Sequence, residues 1–242
     1  MAAHPTTAML LAAGLGTRMR PLTLTMPKPL VEVAGKPLID WTLDQLAASG
    51  VTEAVVNVHY LADLLRRHLA HRQRPGIVIS DETERLLDTG GGVIKALPLL
   101  GAAPFFTCNC DAIIVDAPGQ PNAFTRLATA WNDTQHDVVM LLHPTDTAHG
   151  FDGPGDFFAD DDGRMRRRAG AASAPYVYAG AYLMHPRVLA GETAEPFSMN
   201  RIWDRAIAAD RLRAVIHSGD WYHVGTPEAV PETTALLGRS AA

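Results

Sequence analysis

Short unbroken apolar runs alternate, through about residue 143, with stretches in which apolar side chains recur every three or four positions. The runs at residues 8–12, 54–58, 77–80, 104–108 and 138–142 show no polar alternation, which predicts strands covered on both faces. Between them, residues 38–49 place apolar side chains at 38, 39, 43, 46 and 47 and stop at Gly50, a helical stripe with a glycine end. Residues 61–71 repeat the pattern, with Leu61, Leu64, Leu65 and Leu69 on one face, and residues 93–100 and 124–132 complete this set of predicted helices. Strands that alternate with helices predict an α/β fold with a largely parallel, doubly wound sheet.

The pattern changes after His143. Residues 157–168 hold Asp162-Gly163 between two extended runs, a hairpin signal. Residues 176–184 read as a long strand, 198–209 as a helix, and 213–217 and 221–224 as short strands. A last helix is predicted over 226–237, with Thr226 as its cap, Pro227 at its first position and Glu228 in its first turn. No linker interrupts the chain. Residues 1–242 therefore read as one domain, with a core over about 1–143 and an elaboration over about 144–242.

Composition changes this picture only by exclusion. The 242 residues are 47% hydrophobic and 19% charged, which rules out wholesale disorder. A net charge of −5 argues against nucleic acid as a partner. No apolar stretch approaches the roughly 20 residues of a membrane-spanning helix. Cys108 and Cys110 form a C-x-C in which a disulfide would be strained, and four zinc ligands are not at hand. Residues 1–7 carry no Lys or Arg and do not read as a signal peptide. A reduced cytoplasmic protein, monomer or homodimer, is expected.

The chemistry is concentrated in L-A-A-G-L-G-T-R-M-R-P-L-T at residues 11–23 and P-K-P-L at 27–30. A strand runs into a loop with Gly14 and Gly16, where bare backbone N–H groups can form an anion nest. Arg18, Arg20 and Lys28 add positive charge, and the two prolines beside Lys28 fix where it points. This is a polyphosphate site, but neither a Walker A loop nor a dinucleotide fingerprint. D-T-G-G-G at 88–92 precedes a predicted helix, a second place for close backbone approach to a ligand. N-C-D at 109–111 ends a strand, so Asp111 falls where open parallel sheets bind ligands and where a carboxylate can hold a hard cation.

Together these strings, with G-K-P-L at 35–38 and V-G-T-P at 224–227, resemble the signature of the sugar-1-phosphate nucleotidylyltransferases. The resemblance spans nearly the whole chain, weakening toward its end. It implies a Rossmann-like three-layer α/β/α sandwich with a mixed, largely parallel sheet. It implies transfer of a nucleoside monophosphate from an NTP to a sugar 1-phosphate, with pyrophosphate released and Mg²⁺ (or Mn²⁺) as cofactor. UTP is the expected donor, GTP the alternative, with mannose or heptose phosphates as alternative acceptors.

Carried over residue by residue, the resemblance makes Lys28 and Arg18 catalytic. Lys28 would meet the α-phosphate and Arg18 the departing pyrophosphate. Ala13, Gly14, Gly16, Thr17, Thr89, Gly90 and Asn109 would bind the nucleotide, with Thr89 and Gly90 on the base. Asp111 would hold the metal. Asp156 and Gly180 would lie on the sugar-phosphate side. One departure stands out. His223 occupies the place where the family carries its second metal carboxylate, so it is a metal or phosphate contact or, alternatively, a half-buried strand histidine. Cys110 replaces the usual glycine before Asp111, and no Glu-Lys-Pro segment supplies a second lysine.

Weaker features get plainer readings. Cys108 and Cys110 are small core residues, Asp160–Asp162 a solvated turn, and Arg164 and Arg166–Arg168 an exposed strand face. Glu82 could face the base. Two other classes stay open: a catalytically inactive nucleotide-binding regulator, raised by His223, and a cytidylyltransferase of the molybdopterin type with a non-sugar acceptor.

Overall fold

The computed structural model describes residues 4–240; of the N-terminal stretch read above for a signal peptide, residues 1–3 lie outside it. In chain order the elements are β1 (Thr7–Leu11), the hairpin β2 (Glu32–Val33) and β3 (Lys36–Pro37), α1 (Leu38–Ala48), β4 (Glu53–Val58), α2 (Ala62–Leu69), β5 (Gly76–Asp81), α3 (Asp88–Leu100), β6 (Phe105–Asn109) and β7 (Ala112–Val115). They continue with α4 (Ala123–Thr129), β8 (Val138–Pro144), β9 (Phe157–Ala159), β10 (Met165–Arg167), β11 (Tyr176–Met184), α5 (Asn200–Ala208), β12 (Leu212–Ile216), β13 (Asp220–His223) and α6 (Ala229–Ser240).

Among the described residues one sheet runs in the order β12–β8–β11–β6–β1–β4–β5, with the β9–β10 hairpin joined to β11. Strands β1, β4, β5 and β6 are parallel, as the unbroken apolar runs predict. The later strand β11 enters antiparallel to both β6 and β8 and makes the sheet mixed. Alternate side chains divide the core. Ala8 and Leu10 of β1 pack with Ile39, Leu43 and Leu46 of α1, Leu65 of α2 and Phe124 of α4. Met9 points to the other face, toward Val93 and Ala96 of α3 and Ile202 and Trp203 of α5. The three-layer expectation therefore agrees with the structure. A third core joins Val33 of β2, Ile113 of β7, Tyr222 of β13 and Ala229 of α6.

Two predicted boundaries are wrong for identifiable reasons. The D-T-G-G-G segment is not a loop before a helix at residue 93; it is the first turn of α3, which begins at Asp88. The last helix starts at Ala229, not at residue 226. Pro231 has no N–H to offer the carbonyl of residue 227, so it belongs in the first turn and delays the helix to Ala229. The predictions also contain no strand at β7, whose pairing with β13 sets Ala112 opposite His223.

Candidate functional site

The parallel strands β1 and β6 end side by side, Leu11 opposite Asn109, and the site opens beyond them. The loop after β1 is shaped by Gly16, whose backbone is left-handed (φ 61°). A Cβ there would lie 3.0 Å from Thr23 and 3.1 Å from the Cβ of Lys28, so glycine lets the loop press against the lysine. The Thr23 hydroxyl donates to the Gly16 carbonyl (2.7 Å), and the Tyr60 hydroxyl donates to the Thr23 carbonyl (2.9 Å). Lys28 starts a 3-10 turn between Pro27 and Pro29, and both prolines are buried. The lysine is thus fixed from both sides, and its ammonium lies 3.1 Å from Oδ2 of Asp111.

On the far wall, Glu82 is fully buried. Its carboxylate accepts from Asn57 Nδ2 (2.7 Å) and from the backbone N–H of Leu87 (3.2 Å). Asn57 in turn accepts from the Ala12 N–H (2.6 Å), which ties the start of the glycine loop to the start of α3. Gly92 makes room for this relay, since a Cβ there would lie 2.8 Å from Glu82 Oε1. Gly91 meets the Glu195 carbonyl at 2.3 Å by the same measure. The N–H of Gly90 donates to the Phe197 carbonyl (2.8 Å), and all three glycines are buried. The expectation that Gly90 offers its backbone to a base is corrected accordingly: its donor is spent, and the glycines exist for close packing. Thr89 does line the cavity, and its hydroxyl accepts from the Met199 N–H (2.9 Å).

Asp111 stands between β6 and β7, and His223 ends β13. The ladder brings them together: the Val224 N–H donates to the Asp111 carbonyl (2.8 Å), and His223 Nε2 lies 3.8 Å from Asp111 Oδ2. His223 Nδ1 lies 3.2 Å from the Gly150 carbonyl, which can only accept. That contact orients the ring so that Nε2 faces Asp111. Burial pushes the Asp111 carboxyl up, but neighbouring His223 and Lys28 outweigh it and hold it well below the usual carboxylate range. Trp221 stacks on His223 at 6.0 Å and on His143 at 5.7 Å, which braces the histidine from behind. Among the described residues no three His, Cys, Asp or Glu side chains form a ready metal cage. Asp111 and His223 offer one carboxylate and one imidazole, a donor set that fits a divalent cation completed by substrate oxygens.

Two chambers of about 320 and 330 Å³ meet here and share Leu11, Asp88, Thr89 and Asn109. The first contains Ala13, Gly14, Gly16, Lys28 and Asp111. The second runs under β11 and contains Asp156, Arg167 and Trp203. A smaller recess of about 160 Å³ joins Asn109, Asp111, Asp156, Gly180 and His223. Gly180 has φ 89° where the β11–β8 register shifts, so glycine makes the bend that opens this recess. Most of the sequence-chosen residues thus converge. Thr17 and Arg18 sit on an exposed 3-10 turn at the rim and line none of these chambers.

The residues that sequence reasoning missed are Asn57, Gly150 and Asp88. Asn57 was an internal polar residue in an apolar run, the one signal that could have flagged it. Asp88 has left-handed backbone (φ 58°), its carboxylate accepting from the Thr89 N–H (2.6 Å). Cys108 and Cys110 are buried free thiols, both pushed up by burial. Asp160–Asp162 are exposed at the β9–β10 turn, but the arginine stretch does not all face solvent, since Arg167 and Arg168 are half-buried.

The family model described as "Nucleotidyl transferase" matches residues 7–239. N-acetylmuramate alpha-1-phosphate uridylyltransferase of Caulobacter vibrioides is 46% identical over 99% of this chain and 100% of its own. The protein of that name from Neisseria meningitidis is 35% identical over 96% of this chain and 98% of its own. Mannose-1-phosphate guanyltransferase of Hypocrea jecorina is 31% identical over 94% of this chain but 63% of its own. Among solved structures, UDP-glucose pyrophosphorylase complexed with UDP-glucose superposes with a TM-score of 0.80 at 15% identity, covering 98% of this chain and 99% of that one.

Proposed function

The chain belongs to the nucleotidyl transferase family, and on that footing we propose that it transfers a uridylyl group from UTP to N-acetylmuramate α-1-phosphate, releasing pyrophosphate. The observation that carries the choice of substrates is the 46% identity to the Caulobacter uridylyltransferase, end to end in both proteins. The paired chambers support it, since a nucleotide and a sugar phosphate need adjoining sites that meet at the reacting phosphorus.

In this reading the triphosphate lies along the Ala13–Gly16 loop, whose backbone donors face it. The base rests toward Thr89 and Leu86, and the sugar phosphate occupies the second chamber beside Asp156. Lys28 lies where a phosphate-bearing nucleophile meets the α-phosphorus. Both are anionic, so the ammonium lowers the barrier by neutralising charge that grows on the transferred group. Arg18, at the rim, offsets the charge of the departing pyrophosphate. A divalent cation, Mg²⁺ or Mn²⁺, held by Asp111 and His223 with phosphate oxygens would supply Lewis-acid polarisation of the α-phosphate. Asn109 borders all three cavities and orients the ribose–phosphate junction. No covalent intermediate on the protein is needed.

The inactive-regulator reading loses its motive here, because His223 Nε2 lies 3.8 Å from Asp111 Oδ2 where the family has a carboxylate. Guanylyl transfer to mannose 1-phosphate is the second reading, favoured only by relatives near 31% identity. Pyrophosphate release measured with each NTP against a panel of sugar 1-phosphates, under Mg²⁺ and Mn²⁺, decides between them. UTP with N-acetylmuramate 1-phosphate should give the highest kcat/KM. Preference for GTP and mannose 1-phosphate, or no turnover with any pair, overturns the assignment.

A further inference from the structure

The second chamber contains one basic side chain among the described residues that line it, Arg167 at the end of β10. Its guanidinium lies beside two rings: Cζ is 4.7 Å from the Phe157 ring centre and 5.8 Å from that of Trp203. Nε donates to Asp204 Oδ1 (2.7 Å), and Nη2 donates to the side chain (2.9 Å) and carbonyl (3.3 Å) of Asn200. The Nη1 edge is engaged by none of these bonds. Asp204 is 59% exposed, so water screens its hold on the arginine. The tie orients the guanidinium and leaves Nη1 for a further partner.

The rest of the chamber sharpens what that edge is for. Asp88 and Asp156 also line it and would repel an anion, so a negatively charged sugar is accepted only in contact with Arg167. Asp156 spends Oδ2 on the Tyr178 N–H (3.0 Å). The Tyr178 hydroxyl and Trp203 Nε1 are buried with no hydrogen-bond partner among the described residues, and both side chains line the chamber.

We propose that Arg167 is a specificity-determining residue: its free guanidinium edge pairs with a carboxylate on the sugar, so that the acceptor is a sugar acid 1-phosphate. The inference rests on the uridylyl-transfer reading above, and it names which feature of that acceptor the protein reads. N-acetylmuramate differs from N-acetylglucosamine by a lactyl ether that carries such a carboxylate, so the two 1-phosphates isolate the effect.

The test measures kcat/KM with UTP for both sugar 1-phosphates in the whole protein and in Arg167→Met, Arg167→Lys and Asp204→Asn. The unmodified protein should prefer the acidic sugar. Arg167→Met should lose about 10- to 100-fold on it, mainly in KM, and far less on the neutral sugar, since a hydrogen bond to a charged group is removed. Arg167→Lys should recover part of the loss. Asp204→Asn, which removes the acidic partner but keeps the cation and its bonds to Asn200, should retain the preference. Equal losses on both sugars, an unchanged ratio in Arg167→Met, or a preference lost in Asp204→Asn overturns the proposal. An unmodified protein that uses the neutral sugar equally well overturns it while leaving nucleotidyl transfer intact. Turnover of neither sugar phosphate with any NTP overturns both.

Discussion

The Lys28 ammonium and the Asp111 carboxylate form an ion pair at 3.1 Å, so the charge that would meet a phosphate is held by the carboxylate that would meet a cation. Each half is kept in place by the other, and substrate binding must exchange this pair for two new ones. Lys28→Ala should therefore reduce kcat by at least ~1000-fold. It also takes the nearer of two basic partners from a part-buried carboxylate, at a cost of about 1–3 kcal/mol in stability. Steady-state rates and denaturant midpoints measured on the same preparation separate the two effects. A kcat within tenfold of the unmodified protein removes Lys28 from the reaction.

His223→Asp tests the metal side. A carboxylate in place of the imidazole gives an all-oxygen donor set, which suits Mg²⁺ better than the nitrogen it replaces. The ratio of kcat/KM with Mg²⁺ to that with Mn²⁺ should rise by about tenfold. An unchanged ratio means that position 223 does not touch the ion.

Two glycines near the site should behave oppositely. Gly14 has nothing within 4 Å of where a Cβ would sit, and it lines the first chamber. Gly14→Ala should leave stability within ~0.5 kcal/mol while weakening nucleotide binding. Gly92→Ala drives a Cβ to 2.8 Å from Glu82 and should cost about 1–3 kcal/mol through the displaced Asn57–Glu82 relay. Thermal melts with and without UTP read both quantities. The glycine argument fails if Gly92→Ala melts with the unmodified protein.

Stability should also fall in mild acid. His143 is 1% exposed, and burial first, with His217 and His149 adding to it, pushes its pKa down to about 4. In the unfolded chain it titrates near 6.5. Between these values the unfolded state takes up a proton that the folded state refuses, so stability is full above pH 6.5 and is lost as pH falls toward 4. From this group alone the loss between pH 7 and pH 5 is about 2 kcal/mol. His217, also buried and lowered, acts in the same sense. Urea midpoints at the two pH values check it, and His143→Gln should shrink the difference. Equal midpoints would show that these histidines take up protons in the folded state as readily as in the unfolded one.

The parallel half of the fold was legible because both faces of its strands are covered, which leaves runs with no alternation to misread. The glycine loop and P-K-P-L were legible because they are contiguous and each does one thing. What escaped detection depends on partners far along the chain. The glycines of α3 look like a ligand loop in isolation, and only the packing of Glu195 and Phe197 against them shows why side chains are excluded. Gly150 carries no signal at all until its carbonyl is found beneath His223. The arginines of β10 look alike in sequence, and it is the Phe157 and Trp203 rings that single out Arg167.

The short ribbon of β7 and β13 has a consequence for how the molecule is made. Asp111 leaves the ribosome long before His223, and no later residue can hold the carboxylate's neighbour in place until β13 docks. A growing chain can complete its four parallel strands and still lack a finished catalytic pocket. The last segment acts as a latch: a nascent chain stalled before residue 220 lacks His223 and the core side chains of Trp221, Tyr222, Val224 and Ala229, and should be unable to process nucleotide.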